Sequence, residues 1–203
     1  MKKISLLGCG KLGYPLAIKL LNQGYTIKGS TTSVSKIPIL KNSGIKPFLI
    51  DIEKKIELNF FNSDILVLTL PYKKSFPDPR IYKKQIEIIW DKTKNSSIKH
   101  IVFTSSSSIY PKNGINYSPS DTFLPETERA KILLKCENII QSSTKISSII
   151  IRLGGIFGSN RNVKSSDKKR RLIKETDAIN LIINNINRFG ENDIINGFKQ
   201  MII

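Results

Sequence analysis

The sequence predicts an α/β protein with a doubly wound parallel sheet, and three observations carry this prediction. Short apolar segments of strand length alternate with longer segments whose apolar residues recur at helical intervals. One strand segment, residues 65–70, is almost continuously apolar, as in a central parallel strand that is covered on both faces. The first strand segment ends in a glycine-rich turn that leads directly into a helix. These features are typical of repeated strand–helix units within one domain.

Length and composition favour one domain that spans residues 1–203. The formal net charge of +17 comes mostly from lysines scattered along the chain, so we expect a generally basic surface and no nucleic-acid partner. The two cysteines, Cys9 and Cys136, lack metal-ligand spacing, which favours free thiols in the cytoplasm and no metal site. No apolar run reaches the length of a membrane span, and we expect no membrane partner.

The glycine-rich turn has the G-x-G-x-x-G spacing, at Gly8, Gly10 and Gly13. Gly8 allows a sharp exit from the strand, Gly10 lets the backbone approach a pyrophosphate, and Gly13 lets the helix over 12–21 pack closely. The amide groups at this helix N-terminus would face the phosphates, which adds Lys11 and Leu12 to the candidate cofactor residues. The sequence therefore predicts a dinucleotide-binding Rossmann fold, with a purely structural glycine turn as the alternative.

The tip of the second predicted strand, over residues 26–30, bears on the choice of cofactor. An acidic residue there accepts the ribose hydroxyls of NAD and repels the extra phosphate of NADP. This chain has hydroxyl side chains and a cation instead, at Ser30, Thr31, Thr32 and Lys36. The pattern favours NADP over NAD. The same hydroxyls also suit the start of a helix over 34–42, and both interpretations are compatible.

Further candidate cofactor residues follow the next two predicted strands. Asp51 ends the strand over 46–51, where a carboxylate toward the adenine ring and an ordinary turn residue are both expected. Leu70 and Pro71 end the apolar strand at the edge where the cofactor would lie. His100, which precedes a strand over 101–103, is interpreted as a surface histidine.

The remaining pattern predicts a helix over 80–94, which has one broad apolar face, and three further elements. A second helix is expected over 126–142, a sixth strand over 147–153 and a seventh strand around 193–196. No repeats or low-complexity linkers interrupt the chain.

Four segments resemble the extended or atypical short-chain dehydrogenase/reductase superfamily, in particular its nucleoside-diphosphate-sugar epimerase/dehydratase-like proteins. These segments are 8–13, 29–33, the serine run that ends in Ile109-Tyr110, and 151–158, which is similar to the family's R-L-x-x-I-Y-G-P. The resemblance extends to about residue 196. It implies an NAD(P)-binding Rossmann domain and hydride transfer on a sugar nucleotide or a similar small-molecule carbonyl or carbinol substrate.

The same resemblance implies a reduced substrate-binding region. Residues 154–203 correspond to a short remnant of it, and a polar basic segment over 164–171 replaces the family's substrate loop. In relatives the helix over 126–142 often joins a homodimer interface, although its apolar side equally suits packing on its own sheet.

The resemblance also implies candidate catalytic residues. A family hydroxyl that orients the reacting oxygen corresponds to Ser106, with Ser105 and Ser107 as open neighbours and a structural serine loop as the alternative. Ser105 is also a candidate cofactor-binding residue. Lys131 corresponds to the lysine of the family's Tyr-x-x-x-Lys pair, or is an ordinary exposed lysine. The tyrosine position holds Thr127, whose aliphatic hydroxyl cannot replace a phenol as general acid/base. A catalytically inactive cofactor-binding sensor or scaffold is therefore the second functional hypothesis.

Overall fold

The computed structural model describes residues 2–54, 56–73, 76–158 and 170–200. Their strands are β1 Lys3–Leu7, β2 Thr26–Thr31, β3 Lys46–Leu49, β4 Ile65–Leu68, β5 His100–Ser106, β6 Ser147–Leu153, β7 Gly155–Phe157, β8 Arg171–Lys174, β9 Asn192–Gly197 and β10 Lys199–Gln200. Seven of them form one sheet in the order β3-β2-β1-β4-β5-β6-β9, with parallel pairing throughout. The strand order reverses between β1 and β4, so the predicted doubly wound Rossmann fold is confirmed.

Helices cover both faces of this sheet. Their bounds are α1 Gly13–Asn22, α2 Ile37–Asn42, α3 Arg80–Lys94, α4 Glu128–Ile140 and α5 Glu175–Asn185. Side chains of β4 alternate between two buried clusters: Leu66 and Leu68 pack in the cluster that includes α3 and α4, while Ile65 and Val67 pack with α1 and α5. Two-sided burial therefore explains the continuous apolar run of β4.

Element boundaries differ from the predicted ones by small amounts. The helix predicted over 34–42 begins as a 3-10 turn, Val34–Lys36, and becomes α-helical at Ile37. The strand predicted over 65–70 ends at Leu68. The helices predicted from residues 12 and 126 begin at Gly13 and Glu128.

A second, three-stranded sheet lies in the region expected to be the remnant of a substrate-binding part. Its order is β10-β8-β7, with β7 and β8 parallel and β8 and β10 antiparallel. Of the basic segment over 164–171, only Arg170 and Arg171 belong to the described residues. Arg171 donates to the carbonyl oxygens of Ser107 and Pro111, at 3.3 and 3.0 Å, so it ties this sheet to the loop after β5.

The interpretation of His100 as a surface histidine is wrong. Its side chain is fully buried at the start of β5, because β4 and β6 flank this strand and the end of α5 covers it. Nε2 lies 3.0 Å from the carbonyl oxygen of Asn185, and Nδ1 lies 2.8 Å from Ser147 Oγ. Burial lowers the pKa of His100 below its ordinary value, which favours the neutral ring.

Among the helices of the described residues, none is long and apolar enough to cross a membrane.

Candidate functional site

A cleft of about 840 Å³ runs along the carboxyl ends of the central strands. It crosses the point between β1 and β4 where the strand order reverses, which is the usual ligand position in such sheets. Most of the residues predicted from the sequence line it: Gly8, Gly10, Lys11, Leu12, Ser30, Thr31, Thr32, Lys36, Asp51, Leu70, Pro71, Ser105 and Ser106. The structure does not bring Gly13 or Lys131 to its wall.

The three glycines of the G-x-G-x-x-G turn occupy different environments. Gly8 has a φ of 108°, in the region that favours glycine. A Cβ added to Gly10 would meet no atom within 4 Å, so this position leaves open space in the wall of the cleft. A Cβ on Gly13 would lie 2.1 Å from the carbonyl oxygen of Gly8, so Gly13 serves the close packing of α1 on the turn.

The end of β2 is hydrogen-bonded to the glycine turn. The amide of Gly8 donates to Ser30 Oγ at 2.9 Å, and the amide of Cys9 donates to the Ser30 carbonyl oxygen at 2.8 Å. Thr31 Oγ1 accepts the amide of Ser33 at 3.1 Å. The hydroxyls of Ser30 and Thr31 therefore accept hydrogen bonds from backbone amides. Thr32 and Lys36 are exposed in the cleft wall.

Cys9, within the glycine-rich turn, is a buried free thiol. Burial raises its pKa to about 12, so the sulfur stays protonated near neutral pH. A Cβ on Gly29 would lie only 2.6 Å from its Sγ. At the far end of the cleft, Asp51 forms an exposed ion pair with Lys54 at 3.5 Å.

The three serines at the end of β5 have separate roles in the structure. Ser105 Oγ donates to the buried carboxylate of Glu137 at 2.5 Å. Ser107 is buried and does not line the cleft. Ser106 lines the cleft, is half-buried, and its Oγ lies 3.0 Å from Ser108 Oγ within the same loop.

Helix α4 presents other residues to the cleft than the resemblance implies. Thr127 is its N-cap, where Oγ1 accepts the amide of Ala130 at 3.1 Å. The ammonium of Lys131 lies 2.9 Å from Glu128, outside the cleft. Arg129 and Leu133 line the cleft, and Lys131 lies about 200° around the helix from each of them. A Tyr-x-x-x-Lys pair facing this cleft would therefore fall at positions 129 and 133.

Arg129 is one of the cleft residues that the sequence motifs do not predict. Its guanidinium carbon lies 4.8 Å from the ring centroid of Tyr72, and its Nε is a buried donor without a hydrogen-bond partner among the described residues. Burial lowers its pKa, yet an arginine stays protonated. The apolar periodicity of α4 is the signal that sets its phase and could have placed this side chain in the cleft.

Two of the six tyrosines, Tyr72 and Tyr82, line the cleft. Burial raises the pKa of Tyr82 well above its ordinary value, and its hydroxyl donates to the carbonyl oxygen of Leu70 at 3.1 Å. It is therefore unsuited to proton transfer at neutral pH. Tyr72, which packs against Tyr82, also lines the cleft. Tyr110 and Tyr117, stacked with ring centroids 5.2 Å apart, do not.

The sequence is similar to a curated protein over most of its length. The chain is 29% identical over 168 residues to Protein YeeZ of Escherichia coli (strain K12), across 80% of this chain and 61% of that protein. The chain thus spans about three fifths of the length of the relative that it matches. No protein-family model matches the sequence.

Solved structures share the fold over almost the whole chain. A UDP-N-acetylglucosamine 4-epimerase from Bacillus cereus superposes with a TM-score of 0.81 at 20% identity, over 98% of this chain and 78% of that one. A UDP-glucuronic acid 4-epimerase from Bacillus cereus, in complex with UDP-glucuronic acid and NAD, has a TM-score of 0.79 at 16% identity, over 98% and 78%. At these identities the likeness is one of fold.

Proposed function

We propose that this chain binds a nicotinamide dinucleotide in the cleft, with NADP preferred over NAD. The observation that carries the proposal is the open space at Gly10, in a strand–turn–helix unit at the reversal of the strand order. The amides at the N-terminus of α1 suit a pyrophosphate, whereas those of Gly8, Cys9 and Gly10 are already hydrogen-bonded within the protein. The structural neighbour crystallised with NAD and UDP-glucuronic acid supports the same class of ligands.

The preference for NADP rests on the end of β2. Thr32 and the ammonium-bearing Lys36 are exposed there, and Ser30 and Thr31 are engaged with backbone. A cation near the adenosine ribose favours the additional phosphate of NADP. Asp51, further along the wall, remains a candidate for the adenine side.

The proposed activity is that of an epimerase, dehydratase or reductase acting on a sugar nucleotide or a similar carbonyl or carbinol compound. The bound nicotinamide would supply the hydride chemistry. Ser106 is the proposed residue that orients the reacting oxygen, because its hydroxyl lies in the cleft wall while that of Ser105 is bound to Glu137. Lys131 lies outside the cleft and is paired with Glu128, so we assign it no role toward the cofactor.

A second candidate function is a cofactor-binding sensor or scaffold without catalysis. It is favoured by the side chains that α4 turns to the cleft, Arg129 and Leu133, because neither can act as a general acid/base near neutral pH.

The first test is a fluorescence titration with NADPH and NADH. The variant Gly10→Asp places a carboxylate in the open space of the turn and should abolish binding. Thr144→Asp, which adds the same charge in an exposed loop outside the cleft, should leave binding intact. Absence of binding by the unmodified protein would contradict both candidate functions.

The second test separates enzyme from sensor. Protein that binds cofactor is assayed with UDP-glucose, UDP-N-acetylglucosamine and UDP-glucuronic acid for epimerisation and for a change in nicotinamide absorbance. Turnover that is lost in Ser106→Ala supports the enzyme. Cofactor binding without turnover of any of these compounds supports the sensor.

A further inference from the structure

Arg129 differs from two other arginines, Arg152 and Arg188, in having no acceptor for its buried Nε among the described residues. Arg152 is paired with Glu137 at 2.8 Å, and Arg188 with Glu191 and Asp193 at 2.5 and 3.0 Å. Within the described residues, the guanidinium of Arg129 lies over the ring of Tyr72, and its Nε has no hydrogen-bond acceptor. A buried donor without an acceptor is costly, so the site favours a ligand that supplies one.

The orientation of Arg129 is fixed by aromatic packing. Its guanidinium carbon lies 4.8 Å from the centroid of Tyr72, within the range of a cation–π contact. Tyr72 in turn packs edge-on against Tyr82 with centroids 5.4 Å apart, and Tyr82 is anchored to the Leu70 carbonyl oxygen. The guanidinium of Arg129 therefore packs against a pair of contacting aromatic rings in the wall of the cleft.

The carboxylates in the same wall have other partners. Asp51 pairs with Lys54, and Glu53 accepts a hydrogen bond from Gln85 at 2.8 Å. Glu175 also lines the cleft and is likewise engaged. Within the described residues, none of these three carboxylates forms an ion pair with Arg129. The cleft is thus built with an arginine whose charge the protein's described carboxylates do not neutralise by direct contact.

We infer that Arg129 binds an oxyanion, a carboxylate or a phosphate, of a molecule held in the cleft. The Nε–H and a terminal N–H of a guanidinium form a fork that matches two oxygens of such a group. The inference rests on the proposed use of this cleft for a dinucleotide and its substrate. The anion has two candidate sources, the phosphates of the dinucleotide itself or an acidic group of a second ligand.

The decisive measurement is the ¹H–¹⁵N NMR signal of the Arg129 Nε–H, assigned by its loss in Arg129→Lys. Sodium phosphate and sodium malonate are titrated through the millimolar range at constant ionic strength. We expect a saturable shift of this signal, with a smaller change at Arg188, which is already paired with carboxylates.

A matched pair of variants tests whether the effect is local. Arg129→Gln and Lys135→Gln each remove one positive charge from α4, and Lys135 is exposed outside the cleft. Thermal stabilisation by malonate or phosphate should be kept in Lys135→Gln, with apparent affinity at least about tenfold weaker in Arg129→Gln. If Arg129→Gln does not fold, the NMR titration of the unmodified protein still decides.

Repeating the titration with NADPH-loaded protein identifies the source of the anion. A shift that persists indicates an acidic group of a second ligand. A shift caused by NADPH that blocks the response to malonate indicates the dinucleotide phosphates. An Nε–H signal that neither probe nor NADPH moves overturns the inference. Phosphate and malonate are also titrated without cofactor, so that result does not depend on dinucleotide binding. Whether the protein binds NADPH is measured separately, by fluorescence.

Discussion

The hydroxyl of Ser105 donates a 2.5 Å hydrogen bond to Glu137, whose carboxylate is also ion-paired with Arg152 at 2.8 Å. The side chains of this pair are 5% and 2% exposed, for Arg152 and Glu137 respectively. The contacts join β5, α4 and β6 behind the cleft. The position of the serine loop, and hence of Ser106, therefore depends on a buried ion pair.

Glu137→Gln should strongly destabilise the fold, because it leaves Arg152 as an uncompensated buried charge. We expect the free energy of unfolding to fall by about 3–5 kcal/mol, measured by urea denaturation. Glu128→Gln, which removes a carboxylate from an exposed ion pair on the same helix, should change it by less than about 1 kcal/mol. Equal effects of the two substitutions would contradict a structural role for the buried pair.

Alanine substitutions at Gly13 and Gly10 should have opposite consequences. The methyl group in Gly13→Ala would collide with the Gly8 carbonyl oxygen and should cost about 1–3 kcal/mol of stability or more. Gly10→Ala meets open space and should leave the melting temperature unchanged or slightly raised. We expect Gly10→Ala instead to weaken NADPH binding about tenfold or more, as measured by fluorescence, because its methyl group occupies the approach to the phosphates. Undiminished affinity in this variant would argue against the phosphate position.

The fold and the glycine turn could be predicted because their signals are local. The apolar run of β4 and the spacing of Gly8, Gly10 and Gly13 each fall within a few residues, and both are expressed directly in the structure. The small second sheet could not be predicted in this way. It pairs Leu172 with Gly155 and with Lys199, and no local pattern specifies such distant partners.

The phase of α4 shows where motif matching reaches its limit. Spacing alone makes Thr127 and Lys131 equivalent to any other pair four residues apart. The orientation of the helix is set instead by its buried side chains, Ala130, Ile132, Leu133, Cys136, Glu137 and Ile140. That packing turns Arg129 to the cleft and Lys131 to solvent, so the tertiary core, rather than the motif, selects the residue at the site.

Lys36→Glu tests the proposed preference for NADP. Reversal of charge at this cleft residue should repel the additional phosphate, so that NADPH binds at least about tenfold more weakly, about 1.4 kcal/mol. NADH should be affected much less, since it lacks that phosphate. Lys41→Glu, an exposed residue of α2 outside the cleft, is the matched control in the same titrations. A parallel loss of both cofactors in Lys36→Glu would contradict the assignment.

The stability of the protein should depend on pH through His100. Burial lowers its folded-state pKa below the ordinary value of about 6.5, so the unfolded chain takes up a proton that the folded chain resists. The free energy of unfolding should therefore be unaffected by this group above about pH 6.5 and fall with increasing acidity below it, by at most about 1.4 kcal/mol per pH unit.

Urea denaturation between about pH 8 and pH 5.5 measures this window before most carboxylates titrate. His100 is the single histidine of the chain, so His100→Gln should lose the slope in this window even if its overall stability is lower. Unfolding free energies of the unmodified protein that stay constant, or rise toward acid, would show that the ring is readily protonated in its buried site.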